Sequence, residues 1–417
     1  MSKDYFKKVK RTFLILPLLK VLLSCAELGQ RVKRKSSNDH GSKSRILLTG
    51  RFDSKNWVVA HVRPLAECDT VSQVFVVCDQ EFGTIQNVSW IVPGSRLTRI
   101  VGRTLARLAT FSLMAFRIKP DFVGGFHLLF NGLFAIGLSN LLGCGSIYVC
   151  VGGIPEIKGG GFRSENSVLG GIEGPSPRIE RYLYRFVAMA DLVVTMGSGA
   201  KKFIQQNTVQ RNIHINPGGI NQREFSQDRD VEKSIDILFV GRLERVKGLD
   251  LLLESAQILK AHYSSSLRIQ IVGEGSERAR LEALAQDLDI DEIVAFVGRQ
   301  RDVSARLRAS RVFVLTSFSE GLSLALMEAL STGVPVVATN VGDVGNAVTD
   351  GLNGSLIDDR DPLLVANAIR TWIDASRSDK ELAQSVAATA QDLSILSAAN
   401  RWRFALESIN SIQSIEE

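Results

Sequence analysis

Short, largely apolar runs alternate along the chain with longer stretches of helical periodicity, and glycine closes several of the runs. Residues 235–240 (IDILFV) stop at Gly241, residues 294–297 (VAFV) at Gly298, and RILLT at Gly50. Apolar runs this short read as strands covered on both faces. VSQVFVVCD, residues 122–126, ADLVVT, LRIQIV, residues 312–315 and VPVVAT read the same way. Between them lie helical patterns, among them DLLLESAQILK after Gly248, SERARLEALAQDL after the Gly273 to Gly275 turn, and AKKFIQQN. Strand and helix in alternation predict an α/β chain with parallel sheets and crossover helices. Ligands of such sheets bind at the carboxyl ends of the strands.

A chain of 417 residues exceeds what one core supports, so two domains are expected. We place a leader and linker at 1–44, a first domain at 45–215, a second at 216–385 and a closing helix at 386–417. The middle boundary falls just before the turn Pro217-Gly218-Gly219. Trp402 on the closing helix reads as packing.

Charge changes the picture at one end only. Residues 1–44 hold eleven Lys or Arg against three Asp or Glu, while the remainder is acidic by two. A basic tail on a neutral body disfavours a nucleic-acid-binding fold, which carries its cations as stripes on the body. The tail's apolar stretch is short for a bilayer and holds Pro17 and Lys20. We expect residues 1–35 to lie on an anionic membrane surface, with a disordered leader as the alternative. The location expected is cytoplasmic, peripheral on the inner face of the membrane. Five cysteines, odd in number and without a Cys-x-x-Cys pair, read as reduced thiols.

The chemistry concentrates in SFSEGLSLALMEALSTGVPVVATNVGD. Glu320 and Glu328 stand eight residues apart, just over two helical turns, so both carboxylates can face one side of a helix. Carboxylates there suit hydroxyl-rich ligands, and they equally suit plain solvated positions. Upstream, Arg242 and Lys247 sit in a loop that feeds a helix start, an arrangement that holds a diphosphate. Two solvated loop charges are the alternative.

Taken in order, Gly241-Arg242-Leu243, Lys247-Gly248, Gly273-Glu274-Gly275, Glu320 to Glu328 and Gly333-Val334-Pro335 resemble the donor half of the family-4 retaining glycosyltransferases, over roughly residues 235–375. That resemblance implies the GT-B architecture, two Rossmann-like domains with parallel sheets facing across a cleft. It implies Arg242 and Lys247 on the donor diphosphate, with the amides of Gly321, Leu322, Ser323 and Leu324 close to sugar and phosphate. It implies Glu328 on the ribose, Glu320 on the transferred sugar, and Gly273, Gly275, Gly298 and Arg299 around the base. His127, after the run 122–126, is the counterpart of a histidine that serves sugar and acceptor. The implied reaction moves a sugar, with retention, from a nucleotide-diphosphate sugar to a glycan or lipid-linked acceptor. No cofactor and no metal is expected. The Asp-x-Asp triplets at 228–230, 287–289 and 359–361 read as solvated charges.

The chain departs from the pattern twice. Asn346 stands where the family carries a glutamate, and the loop after the first strand has Gly50 alone. The glycine-rich segment 152–176, with eight glycines, reads as a lid or a passive loop. Arg163, Glu165 and Asn166 are its candidate acceptor contacts. Two other readings are a nucleotide-sugar epimerase and a non-catalytic nucleotide-sugar-binding subunit. A Rossmann oxidoreductase is disfavoured, because no Gly-x-Gly-x-x-Gly follows Gly273.

Overall fold

Buried apolar runs become strands because only the ladder satisfies their backbone groups once water is excluded. The computed structural model describes residues 19–20, 23–24, 26–27, 43–52, 54–161, 174–228 and 231–413. The chain divides into two units. One comprises residues up to Gly219 together with those from Ala398 onward, and the other is Ile220–Ser397.

The first unit holds a seven-stranded parallel sheet. Its strands are β1 (Ser44–Thr49), β2 (Val71–Val77), β3 (Val88–Ile91), β4 (Phe122–Phe126), β5 (Gly145–Cys150), β6 (Leu192–Thr195) and β7 (Ile213–Ile215), in the order β3-β2-β1-β4-β5-β6-β7. The order reverses between β1 and β4, where Leu47 pairs with Val123. One face is covered by the helices Lys55–His61 and Ile395–Gln413, the latter through Trp402, Ala405, Leu406 and Ile409. Trp402 is thus packing.

Leu19, Leu23 and Ala26 are fully or almost fully buried among Leu133, Ile136, Tyr148 and Phe186 of this same unit. The Asn140 side-chain amide donates to the Ala26 carbonyl at 2.9 Å, and Arg185 pairs with Glu27. This corrects the separate leader, because these apolar side chains are used by the protein's own core. Residues 1–18, 21–22, 25 and 28–35 of the expected membrane segment lie outside the described residues. Among the described residues no helix is long and apolar enough to cross a membrane.

The second unit holds a six-stranded parallel sheet of β8 (Ile235–Val240), β9 (Ile269–Val272), β10 (Val294–Gly298), β11 (Ser310–Leu315), β12 (Val336–Thr339) and β13 (Gly354–Ile357), ordered β10-β9-β8-β11-β12-β13. Its order reverses between β8 and β11, where Phe313 pairs with Leu238. One core fills the unit around Leu238, Phe239, Phe313, Leu326 and Ile369.

Two features of the element reading need correction. Glu320 and Glu328 do not share a helix. That helix is Leu324–Ser331, and Glu320 precedes it in an irregular turn, because the Gly321-Leu322-Ser323 stretch does not take helical pairing. The chain end is also two helices, Leu382–Ala388 and Ile395–Gln413, with the first in the second unit.

Candidate functional site

The reversal point of each sheet leaves a crevice at the strands' carboxyl ends, and in both units sequence-predicted residues stand there. In the second unit the loop after β8 carries Arg242 and Lys247, and the loop after β11 carries Glu320. Separated by 73 positions, Lys247 and Glu320 meet: Nζ lies 2.5 Å from Oε1, and both side chains are largely buried. The Ser317 hydroxyl donates to the same Oε1 at 2.6 Å. Glu320 is therefore held by its own loop and by the neighbouring strand's loop together.

Backbone glycines set this geometry. At Gly342, φ is 59°, and a Cβ there would stand 1.8 Å from the Glu320 carbonyl oxygen. At Gly248, φ is 57°, and a Cβ would stand 2.4 Å from the Thr316 carbonyl oxygen. No other residue permits such approach. Arg360 closes the arrangement. Its Nη1 donates to the carbonyls of Thr316 at 2.7 Å and Ser317 at 3.1 Å, and its guanidinium lies 3.7 Å over the Phe318 ring. Asp359 and Asp361 are exposed, so the reading of residues 359–361 as solvated charges fails only at Arg360. Asp361 caps the helix Pro362–Ser378 by accepting from the Leu363 amide at 2.8 Å. In the 287–289 triplet Asp289 pairs with Lys260 at 3.1 Å, and in the 228–230 triplet residues 229 and 230 lie outside the described residues.

Glu328 is buried within the helix Leu324–Ser331. Ser323 is that helix's N-cap, and its hydroxyl makes no capping bond, so its first turn lacks a side-chain cap. Arg242 is exposed, as is Arg299. Gly273 and Gly275 have a packing cause: a Cβ at Gly273 would stand 1.8 Å from the Gly241 oxygen, and one at Gly275 2.2 Å from that of Leu243. The Leu243 amide donates to Glu274 at 2.9 Å, and the Ser276 hydroxyl to Glu244 at 2.7 Å. The Ser276 hydrogen bonds pull the Glu244 carboxyl below its usual range. The Arg242 loop is thereby stitched to the β9 turn. Gly298 faces the Glu274 carboxylate. Asn346 donates to Asp343 at 3.0 Å within its own turn.

In the first unit His127 follows β4 at the reversal point, with φ of 63° and ψ of 142°, an unusual backbone for a residue other than glycine. Its Nδ1 lies 2.8 Å from Oε1 of Glu156, a residue the sequence reading passed over. Glu156 is buried and accepts four contacts. The others come from the Leu128 amide at 2.9 Å, the Tyr148 hydroxyl at 2.7 Å and the Gly152 amide at 2.5 Å. Burial alone would raise its carboxyl, but the His127 charge and these hydrogen bonds outweigh that and hold it below the usual range. Burial pushes the neighbouring Tyr148 and Cys150 groups well up, so both stay protonated. The start of the glycine-rich segment is therefore packed, with Ile157 buried as well as Glu156. Arg163, Glu165 and Asn166 lie outside the described residues. Only the buried carboxylate type at Glu156 could have signalled its role, and one glutamate among glycines gives no spacing to read.

The family model for Glycosyl transferases group 1 matches residues 221–391. The chain carries a group 1 glycosyltransferase domain. The D-inositol 3-phosphate glycosyltransferase of Corynebacterium kroppenstedtii is 32% identical over 54% of this chain and 54% of its own length. The enzyme of that name from Pseudarthrobacter chlorophenolicus is 28% identical over 64% of this chain and 66% of its own length. The chain thus spans roughly half to two thirds of these curated relatives. Among solved structures, Anabaena Alr3699/HepE in complex with UDP and glucose has a TM-score of 0.67 at 17% identity, over 88% of this chain and 100% of that chain. Sucrose-phosphate synthase from Thermosynechococcus elongatus has 0.71 at 18%, over 89% and 100%. These neighbours establish the fold as GT-B, and the group 1 domain contains the Lys247–Glu320 pair.

Proposed function

We propose that the chain is a retaining glycosyltransferase that moves a sugar from a nucleotide-diphosphate sugar to a glycan or lipid-linked acceptor. The observation that carries this is the Lys247–Glu320 pair at the reversal point of the second sheet, inside the group 1 domain. Lys247 and Arg242 take the diphosphate, assisted by the amides of Gly321 to Leu324. Glu320, released from Lys247 when phosphate arrives, accepts from sugar hydroxyls. Glu328 takes the ribose, and Gly273, Gly275, Gly298 and Arg299 surround the base. Cations matched to the diphosphate make it a leaving group. The bond from anomeric carbon to phosphate oxygen breaks, the acceptor oxygen bonds on the vacated face, and its proton passes to the departing phosphate. His127 serves the acceptor side. UDP-glucose is the first donor to test, since a structural neighbour binds UDP and glucose.

The test is titration with UDP, GDP and ADP sugars. One should bind, and K247A should weaken it roughly tenfold to a hundredfold, the loss of charge-assisted hydrogen bonds. E320Q should leave the nucleoside diphosphate's affinity nearly unchanged while slowing transfer. Binding of no activated sugar would sink the proposal. Release of free nucleotide and sugar without acceptor as the main reaction would favour the epimerase reading.

A further inference from the structure

Between Glu81 and Asp121 the chain has no acidic residue and six basic ones, Arg96, Arg99, Arg103, Arg107, Arg117 and Lys119. Arg107 is buried, with Nη1 2.9 Å from both carboxylate oxygens of Asp79. The other five are exposed, and among the described residues no carboxylate pairs with any of them. Arg96, Arg99, Arg103 and Arg117 stand on the helices Ser95–Val101 and Arg103–Ile118, and Lys119 is the C-cap of the second. The second helix is anchored by Ala106, Leu108, Phe111 and Ala115, while Leu105, Leu113 and Phe116 form an exposed stripe away from that buried face. The first helix has no buried residue, although it contains Leu97, Ile100 and Val101, and Ile100 is 81% exposed. Seven residues do not hold a helix in water by propensity alone.

An aliphatic ridge among uncompensated cations narrows the choice of partner. A second copy would bring cation against cation. A nucleic-acid backbone would match the charge and leave Ile100, Leu105 and Phe116 in water. A bilayer surface of anionic lipid meets both demands, with acyl boundary for the apolar side chains and phosphate for the guanidinium groups. We infer that the face made by Ser95–Val101 and Arg103–Ile118 rests on an anionic membrane surface. Ile100 and Leu105 enter the acyl boundary, and Arg96, Arg99 and Arg103 meet lipid phosphates. This surface is separate from the leader, whose Leu19, Leu23 and Ala26 are buried.

The test is cosedimentation of the full chain with phosphatidylcholine vesicles, with and without about one third phosphatidylglycerol, at low and high salt. Binding should require the anionic lipid and weaken with salt. R96E/R99E/R103E should lower partition by at least about a hundredfold, since the loss of each surface cation alone costs roughly fivefold. I100S, a single exposed change that provides the readout even if the triple variant misfolds, should lower it by about tenfold. L396E, at an exposed leucine of the other unit, should change nothing. Four results would overturn the inference: no binding, equal binding to neutral vesicles, indifference to the R96E/R99E/R103E and I100S changes, or a wild-type dimer that I100S dissociates.

Discussion

Glu156 and His127 form a unit in which one side chain holds the other's backbone. The positive φ of His127 costs on the order of 1–3 kcal/mol, and such strain persists only where surrounding contacts outweigh it. The Glu156 carboxylate supplies them by gripping the His127 ring and the next amide, that of Leu128. A carboxylate only accepts, so the His127 ring donates from Nδ1 to Glu156 and Nε2 is the ring nitrogen left for proton exchange. Glu156→Gln puts an amide NH₂ among four donors that all need an acceptor. We expect a loss of about 2–4 kcal/mol in urea unfolding. We also expect kcat to fall further than KM for the donor rises, because the donor contacts proposed above lie in the other unit. A Gln variant with full stability and full kcat would show that Glu156 neither holds nor orients His127. The pair was half legible. His127 follows an apolar run at a strand end, a position with meaning. Glu156 has no periodicity or partner spacing around it, and only the folded chain brings it within reach.

At the scale of elements, strands buried on both faces were readable because their runs are mostly apolar, as at Ile235–Val240, where Asp236 is the one polar residue. The half-buried strand Val88–Ile91 and the three-residue Ile213–Ile215 offer no such run, and both were missed. The turn that holds Glu320 was misread as helix because Leu322 and Leu324 continue the apolar period, while Gly321 breaks it without an N-cap bond to mark the start. Arg360 was unreadable for a different reason. Flanked by Asp359 and Asp361 it looks solvated, and its carbonyl partners on Thr316 and Ser317 are 44 and 43 positions away. Gly342 and Arg360 act on the same loop from two sides, so their substitution tests whether loop position, and not just its residues, sets donor chemistry. In Gly342→Ala the Cβ must displace the Glu320 carbonyl, and with φ of 59° the alanine adds about 1 kcal/mol of backbone strain. Transfer should fall by a hundredfold or so, since a misplacement near 1 Å has that effect. The thermal midpoint should drop only a few degrees. Arg360→Lys keeps the charge and loses the fork, and should show the same split more weakly. Equal loss of folding and activity in both variants would reduce the loop to a structural element.

For the whole molecule, each unit carries a buried group that ties stability to pH, His61 in the first and Lys233 in the second, and the two act in different windows. In the first unit His61 is buried beside Trp57, and burial, with the His127 charge adding to it, lowers its pKa from 6.5 to about 3. The folded unit keeps His61 neutral while the unfolded chain protonates it below 6.5. Stability from this source is whole above 6.5 and is lost as pH falls toward 3, at about 1.4 kcal/mol per pH unit. In the second unit burial, then the Arg311 charge, lowers Lys233 from 10.5 to about 8, where it donates to the Ser310 carbonyl at 2.9 Å. Between 8 and 10.5 the unfolded chain holds the extra proton, so stability rises with pH there. Urea midpoints for wild type, His61→Leu and Lys233→Met separate these groups from all others, since the rest of the titration cancels in each difference. The His61→Leu difference from wild type should change only below 6.5, with the variant gaining relative stability as acid is added. Glu156, whose carboxyl is held below its usual range, is present in wild type and in both variants and cancels in each difference. Lys233→Met should be more stable than wild type at neutral pH, and the gain should shrink from pH 8 upward. A Lys233→Met difference that stays flat from 8 to 10 would mean that Lys233 keeps its charge on folding, which requires water at the β8–β11 edge where Ser310 begins its strand.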